Sequence, residues 1–446
     1  MKILIKNGRV IDPATQFDAV CDVAIAAGRI IGIQKIAPDF APNRVIDATG
    51  CVVAPGLVDL CVRLREPGHE HEGMLESEMA AAAAGGVTSV VCPPDTDPVL
   101  DEPGLVQMLK FRAQNLHQSR VFPLGALTRN LAGEVLTEMV QLTEAGCVGF
   151  SQAEVPLANT QVMQRALQYA STFGYTVWLR PQELHLGKGV AASGALATRL
   201  GLSGVPVAAE TIALHTIFEL MKTTGARVHL CRISSAAGLA LVRRAKDEGL
   251  KVSCDVSIHS LHLTDHDIGY FDSRARLNPP LRQQRDRDAL RAGLADGTVD
   301  ALVSDHTPVD EDAKTLPFAE AEAGATGLEL LLSLALKWGQ DSGAGLTRAL
   351  AVLTSAPAGV LGGALGTLQA SIGRLAEGGV ADVCIFDPAA EWTVTADALR
   401  SQGKHTPFSG YALPGRVRAT IFAGQVAFES AAAPSGTRPH EARRNA

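Results

Sequence analysis

The chain has no CxxC pair, no stretch approaching the roughly 18 consecutive apolar residues of a membrane span, and no excess of positive charge. Each absence excludes a class of function. The eight cysteines (Cys21, Cys51, Cys61, Cys92, Cys147, Cys231, Cys254 and Cys384) are scattered through strand-like segments. That argues against a disulfide framework and for reduced, mostly buried thiols in a cytoplasmic protein. Lys2 and Lys6 flank only three apolar residues, too few for the apolar region of a signal peptide. With 40 Lys and Arg against 47 Asp and Glu, the net charge of −7 gives no electrostatic reason to bind nucleic acid or an anionic membrane. Small polar molecules and other proteins are left as partners.

What is present is length and apolar content: 446 residues, 46% of them hydrophobic, suit one large domain and a smaller one. Residues 1–53 alternate in strand fashion, with Asn7-Gly8 and Ala27-Gly28 as turn signals. From 54 to 375, apolar strand-like runs (87–92, 121–126, 147–151, 175–180, 227–234, 251–256, 299–305) alternate with helical stretches (74–84, 104–117, 134–144, 160–173, 238–248, 327–338). Such alternation predicts a parallel sheet closed into a (β/α)8 barrel of the α/β class. Residues 376–430 return to strands and are expected to complete a small β-sandwich module with 1–53, because each half alone has too few strands to be stable. The tail, 431–446, is expected to be disordered.

The stretch from Ala54 to Gly68 organises the rest. Pro55 and Gly56 punctuate an apolar run from Leu57 to Leu64 that reads as the first barrel strand, closed by a turn at Pro67-Gly68. Side chains at i and i+2 share a strand face, so Cys61 and Arg63 project together from its end, where barrel enzymes keep metal ligands. Two histidines there would offer a metal two imidazoles, but this strand carries none.

A strand module split around a barrel, with Pro-Gly-Leu-Val-Asp-Leu at the first barrel strand, is similar to the amidohydrolase superfamily. Leu64-Arg-Glu-Pro-Gly, the run from Ala81 to Cys92, Asn278-Pro-Pro-Leu-Arg, Ser304-Asp-His-Thr-Pro, Gly327-Leu-Glu and Thr406-Pro-Phe-Ser-Gly together resemble dihydroorotase of the long-chain bacterial type, over residues 1–429. The resemblance implies a metal site built from two strand-one histidines, a middle-strand acid or modified lysine, two later histidines and a final aspartate. Here those positions read Cys61 and Arg63, then Gln152 and Ala153, then Arg180 and Arg232, and only Asp305 is kept. Zinc held by four good ligands gains about 10–16 kcal/mol. Each guanidinium about 5 Å from a dication repels it by roughly 7 kcal/mol at an effective dielectric of about 20, and arginine cannot deprotonate to escape. The expectation is therefore a site with no metal and no cofactor, in which a buried Asp305 draws a cation from Arg63, Arg180 or Arg232.

Among substrate contacts implied by the resemblance, Arg65 and Asn278 are kept, whereas Asp95 stands where an anionic substrate would be repelled and Val309 where a histidine is expected. His69 and His71 follow the Pro67-Gly68 turn and read as solvated loop residues. His229 and Cys231 share the face opposite Arg232 and are expected to pack against a helix, while His259, His262 and His266 form no paired ligand set. His306, beside Asp305, is expected to point away from the site.

Two readings follow. In the first the chain is not an enzyme but a pseudo-enzyme of the dihydroorotase family, a homodimer that stabilises aspartate transcarbamoylase in pyrimidine biosynthesis, the partner that the resemblance implies. In the alternative it is a divergent cyclic amide hydrolase working without metal or with a site rebuilt from Cys61, Asp305 and a loop histidine.

Overall fold

A computed structural model describes residues 1–430; the expected disordered tail lies outside the described residues. Eight parallel strands, Leu57–Asp59, Val87–Cys92, Arg120–Pro123 (continued by Gly125–Ala126), Phe150–Ser151, Thr176–Leu179, Arg227–Leu230, Val252–Ser257 and Ala301–Val303, run in sequence order around a barrel. A parallel bridge between Val62 and His306 joins the last strand to the first. The two-residue side-chain period sorts each strand. Val58, Val91, Phe122, Trp178 and Val303 pack inside the barrel, whereas Leu57, Val90, Val121, Val177, Val228 and Leu302 face the helices.

Both termini enter one eight-stranded mixed sheet. Val52–Pro55 pairs in parallel with Lys2–Asp12 on one side and antiparallel with Val383–Thr393 on the other, so the chain ends interleave. One face of the sheet closes over Ile3, Ile5, Val23, Ile25, Val383 and Ile421; Ile11, Val52, Cys384 and Phe386 on the other join the barrel core.

The helices Leu75–Ala84, Pro103–Leu116, Thr160–Phe173 and Ala236–Asp247 form where the sequence places them. Thr160–Phe173 has explicit ends: Asn159 accepts from the backbone N–H groups of Gln161 and Val162, and Gly174 leaves at φ 73°. The helix expected from 134 begins only at Met139, because Leu136 is drawn into an antiparallel bridge with Thr128. The longer helices that escape sequence reading are Val207–Thr224 and Gln284–Asp296, and the short ones include Ala195–Leu200 and Ile258–His262. Residues 345–368 are apolar enough on average over 24 residues to pass as a membrane span by length and composition, although Thr347, Arg348, Thr354 and Ser355 interrupt the apolar run. The segment is broken into helices Gly345–Ala351 and Ser355–Leu361 and a 3-10 stretch Gly362–Leu368, with Leu350, Leu353, Val360 and Leu361 buried. That is how a core segment of a barrel packs.

Candidate functional site

Arg65, Ala153, Arg232 and Asp305 lie beyond the ends of the first, fourth, sixth and eighth barrel strands, and all four are non-glycine residues at positive φ (62°, 50°, 56° and 51°). Left-handed backbone costs such residues roughly 1–2 kcal/mol each, and strain of this kind concentrates at functional sites. Its effect here is to re-aim side chains. Arg232, which strand alternation would send away from the barrel axis, instead joins the mouth, and Glu154 is delivered there by the turn at Ala153.

Glu154 is the centre of the site. Its Oε1 accepts from Arg63 Nη2 at 2.8 Å and from Arg232 Nη2, and its Oε2 lies 2.8 Å from Arg180 Nε and accepts from Asn278 Nδ2 at 2.9 Å. Burial alone would raise its pKa, but Arg232, Arg180 and Arg63 outweigh burial and hold the carboxyl well below the usual range. The three guanidinium groups are almost completely buried and each has further partners. Arg63 donates to Asp95 Oδ2 (2.9 Å) and Thr307 Oγ1 (3.0 Å), Arg180 to Asn278 Oδ1 (3.0 Å), and Arg232 to Asp305 Oδ1 (3.0 Å). Asp305 thus has the cationic contact its burial requires. Burial raises the Asp305 pKa and Arg232 and Arg63 offset only part of that rise.

Several sequence expectations are modified. Gln152 turns away from the mouth, accepting from Thr128 Oγ1 (3.0 Å) and donating to the Leu131 carbonyl (2.7 Å), so it holds a neighbouring loop. Glu154, two residues on, was not singled out in the sequence; a left-handed alanine leaves no signature there. Asp95 does not stand as a free repelling charge, because Arg63 neutralises it. Cys61 sits beside Asp305 (Sγ to Oδ1 3.7 Å), but burial pushes its thiol well up, with Arg232 offsetting only part, which leaves little thiolate for nucleophilic work.

The histidines lie elsewhere. His229 packs inside the barrel, 4.3 Å from the Trp178 ring, rather than against a helix; its Nε2 meets Asp255 at 2.9 Å and its Nδ1 meets Ser253 at 2.8 Å. His306 points to the helix layer, with Nε2 on Glu78 (2.7 Å) and Nδ1 accepting from the Gly327 and Leu328 N–H groups (3.2 and 3.4 Å). His259 is buried and His262 half-buried away from the mouth, and desolvation pushes both down to about 3; His266 is exposed.

The mouth opens on a cavity of about 280 Å³ lined by Arg63, Arg65, Asp95, Glu154, Arg232 and Asn278, with Asp305, Thr307 and Glu322 completing it. Arg65 donates from Nε to the Pro308 carbonyl at 2.8 Å, and Val309 is buried. A metal of the kind the resemblance implies does not fit this donor set. Where such an ion would sit there is a carboxylate ringed by guanidinium groups, and among the described residues the groups of three close ligand atoms are His69, His71 and Glu72, and His229, Cys231 and Asp255. Charge at the mouth is inverted: an anion among cations rather than a cation among anions.

Comparison with known proteins agrees with this architecture. A dihydro-orotase-like family model matches residues 50–237. A dihydroorotase-like protein of Pseudomonas aeruginosa is 43% identical over 430 residues, covering 96% of this chain and 100% of its own. A dihydroorotase of a Geobacter species is 41% identical over 433 residues, with 96% and 100% covered. Among solved structures, the L-hydantoinase of Arthrobacter aurescens superposes with a TM-score of 0.83 at 24% identity, over 95% of each chain, and shows the fold. The expectation that this chain is not an enzyme is overturned by these relatives: proteins named dihydroorotase align with almost its whole length at identities of 38% to 41%.

Proposed function

The chain belongs to the dihydroorotase-like family, and on that premise we propose that it is a divergent cyclic amide hydrolase, of the dihydroorotase, hydantoinase or allantoinase kind, whose site is rebuilt without the family's metal. The observation that carries the reading is the pairing, at one cavity, of a buried Asp305 with raised pKa and a set of fixed guanidinium groups. A carboxylate whose pKa is moved toward neutrality is a better proton acceptor for water, and fixed cationic N–H groups stabilise charge that develops on a carbonyl oxygen. Asp305 Oδ1 is occupied by Arg232 and the Cys61 thiol, leaving Oδ2 to take a proton. Water oxygen adds to the ring amide carbon while its proton passes to Asp305. The ring C–N bond then breaks, its electron pair stays on nitrogen, and nitrogen takes the proton back from Asp305. Arg65, which lines the cavity, is placed to hold the substrate's oxygens. Ring opening of dihydroorotate, hydantoin or allantoin by the full-length protein, abolished by Asp305→Asn, supports the reading; no turnover on any of the three overturns it.

A second reading concerns assembly and is compatible with the first. In it, a homodimer of this chain associates in the cytosol with aspartate transcarbamoylase in pyrimidine biosynthesis. The observation favouring a protein contact is an aromatic tip, Tyr270, 93% exposed and set edge-on to Phe271 at 5.5 Å. Co-expression followed by sedimentation tests it: a joint, faster species supports association, and separate unchanged species refute it.

A further inference from the structure

The loop after the first barrel strand carries His69 and His71, 34% and 63% exposed as expected of loop histidines, and brings both near one buried carboxylate. His69 N–H donates to the Arg65 carbonyl (2.8 Å) and Glu72 N–H to the His69 carbonyl (3.0 Å), a helical turn that puts positions 69 and 72 on one side. His69 Nδ1 lies 3.7 Å and His71 Nε2 lies 3.6 Å from the same atom, Glu72 Oε1, and all three atoms fall within 4.8 Å of one another. Ligand atoms around a tetrahedral zinc with bonds of about 2.0–2.1 Å sit about 3.4 Å apart, so the three atoms need to move only slightly to share one ion.

A second observation concerns Glu72 itself, whose side chain is 7% exposed. Its Oε2 is 2.6 Å from Arg65 Nε but takes no well-directed hydrogen bond, because that N–H is aimed at the Pro308 carbonyl. The carboxylate is therefore nearly buried, its Oε2 ion-paired to Arg65 without a well-directed hydrogen bond and its other oxygen facing two imidazoles. Arg65 supplies a cation on the Oε2 side, and Oε1 is left to face the two imidazoles.

The second close group, His229 with Cys231 and Asp255, lacks this character. Both nitrogens of His229 are engaged, and Asp255 Oδ1 already accepts from the Arg232 N–H at 2.6 Å. It reads as a satisfied polar cluster inside the barrel.

We propose that His69 Nδ1, His71 Nε2 and Glu72 Oε1 form a site for a divalent transition ion of the zinc class, at the rim of the cavity and separate from the barrel mouth. Two imidazoles and one carboxylate match zinc's preference for nitrogen and oxygen ligands, and three protein ligands leave a fourth position open to water or a ligand. Glu72 would bridge the ion and Arg65, and through Arg65 the ion would bear on the cavity without entering it.

The test uses the full-length protein stripped with chelator and dialysed against zinc chloride, the bound metal being counted by elemental analysis. One equivalent is expected, falling to none in the His69→Ala/His71→Ala double variant and in Glu72→Gln. Cobalt(II) substitution should give the intense visible absorption of a tetrahedral nitrogen and oxygen site, absent from both variants, while circular dichroism confirms that both remain folded. Zinc retained at one equivalent by the folded variants, or no zinc bound by the wild type, overturns the proposal. The readout is metal content and spectrum, so its outcome is independent of whether the cavity hydrolyses cyclic amides.

Discussion

Glu154 does at the mouth what a metal does in a mirror-image charge arrangement: it is the counter-charge that Arg63, Arg180 and Arg232 share. Removing it by Glu154→Gln would leave Arg63, Arg180 and Arg232 facing one another with Asp305 and Asp95 as their remaining anions. The Glu154 side chain is 30% exposed, so the cost should fall below the roughly 3–5 kcal/mol of a fully buried pair, and it should appear as a lower urea midpoint with an unchanged slope. The sign with pH is fixed by the direction of the shift. Glu154 has a folded pKa below its unfolded value, so its stabilisation is complete above about pH 4.5 and is lost as the pH falls further. Wild-type stability should drop through that acid range, and Glu154→Gln should flatten the drop.

Asp305 is shifted the other way, so its base form, and with it turnover, should grow as pH rises through its raised pKa. Arg232→Met removes the cation that offsets burial, and should move the rising limb of kcat/KM to higher pH. A limb that stays in place would show that Asp305 is not the group titrating.

At the scale of elements, the turn Ala153 makes between the fourth strand and Glu154 is the part of the site that sequence could not disclose. Ala153 sits at φ 50°, a conformation glycine adopts freely. Ala153→Gly should therefore be neutral or stabilising by up to about 1 kcal/mol in chemical denaturation, whereas Ala166→Gly inside the helix Thr160–Phe173 should cost about 1 kcal/mol. Equal losses at both positions would mean the strain at Ala153 is not real. The alternation of strands and helices was legible because each barrel strand is a short apolar run bounded by turn residues. The helices Val207–Thr224 and Gln284–Asp296 were not, for opposite reasons. The first is apolar on too many sides to show a stripe, while the second is dense in Arg and Asp and buries only a few positions, among them Asp286, Leu290 and Leu294. At the site, Cys61, Arg63, Arg180, Arg232 and Asp305 could be read by position. Their common partner could not, because a left-handed residue breaks the alternation on which that reading rests.

At the scale of the whole molecule, the interleaved terminal sheet ties residues far apart in sequence into one core. Val52–Pro55 has Lys2–Asp12 on one edge and Val383–Thr393 on the other, so removing residues 376–430 strips an inner strand of its partner and uncovers Val52, Val53 and Ala54. A chain ending at 375 should be insoluble or should expose apolar surface to a dye such as ANS; a soluble, cooperatively folding product would refute the shared-core account. The central claim is that ring-opening chemistry here runs on a carboxylate and guanidinium groups rather than on a metal at the barrel mouth. The most direct measurement is steady-state turnover of dihydroorotate and hydantoin by the full-length protein before and after exhaustive chelation, with metal content determined on the same samples. The account predicts ring opening that persists in chelated protein and disappears in Asp305→Asn; turnover that vanishes on chelation and returns with added zinc even in His69→Ala/His71→Ala, or no turnover in any sample, would contradict it.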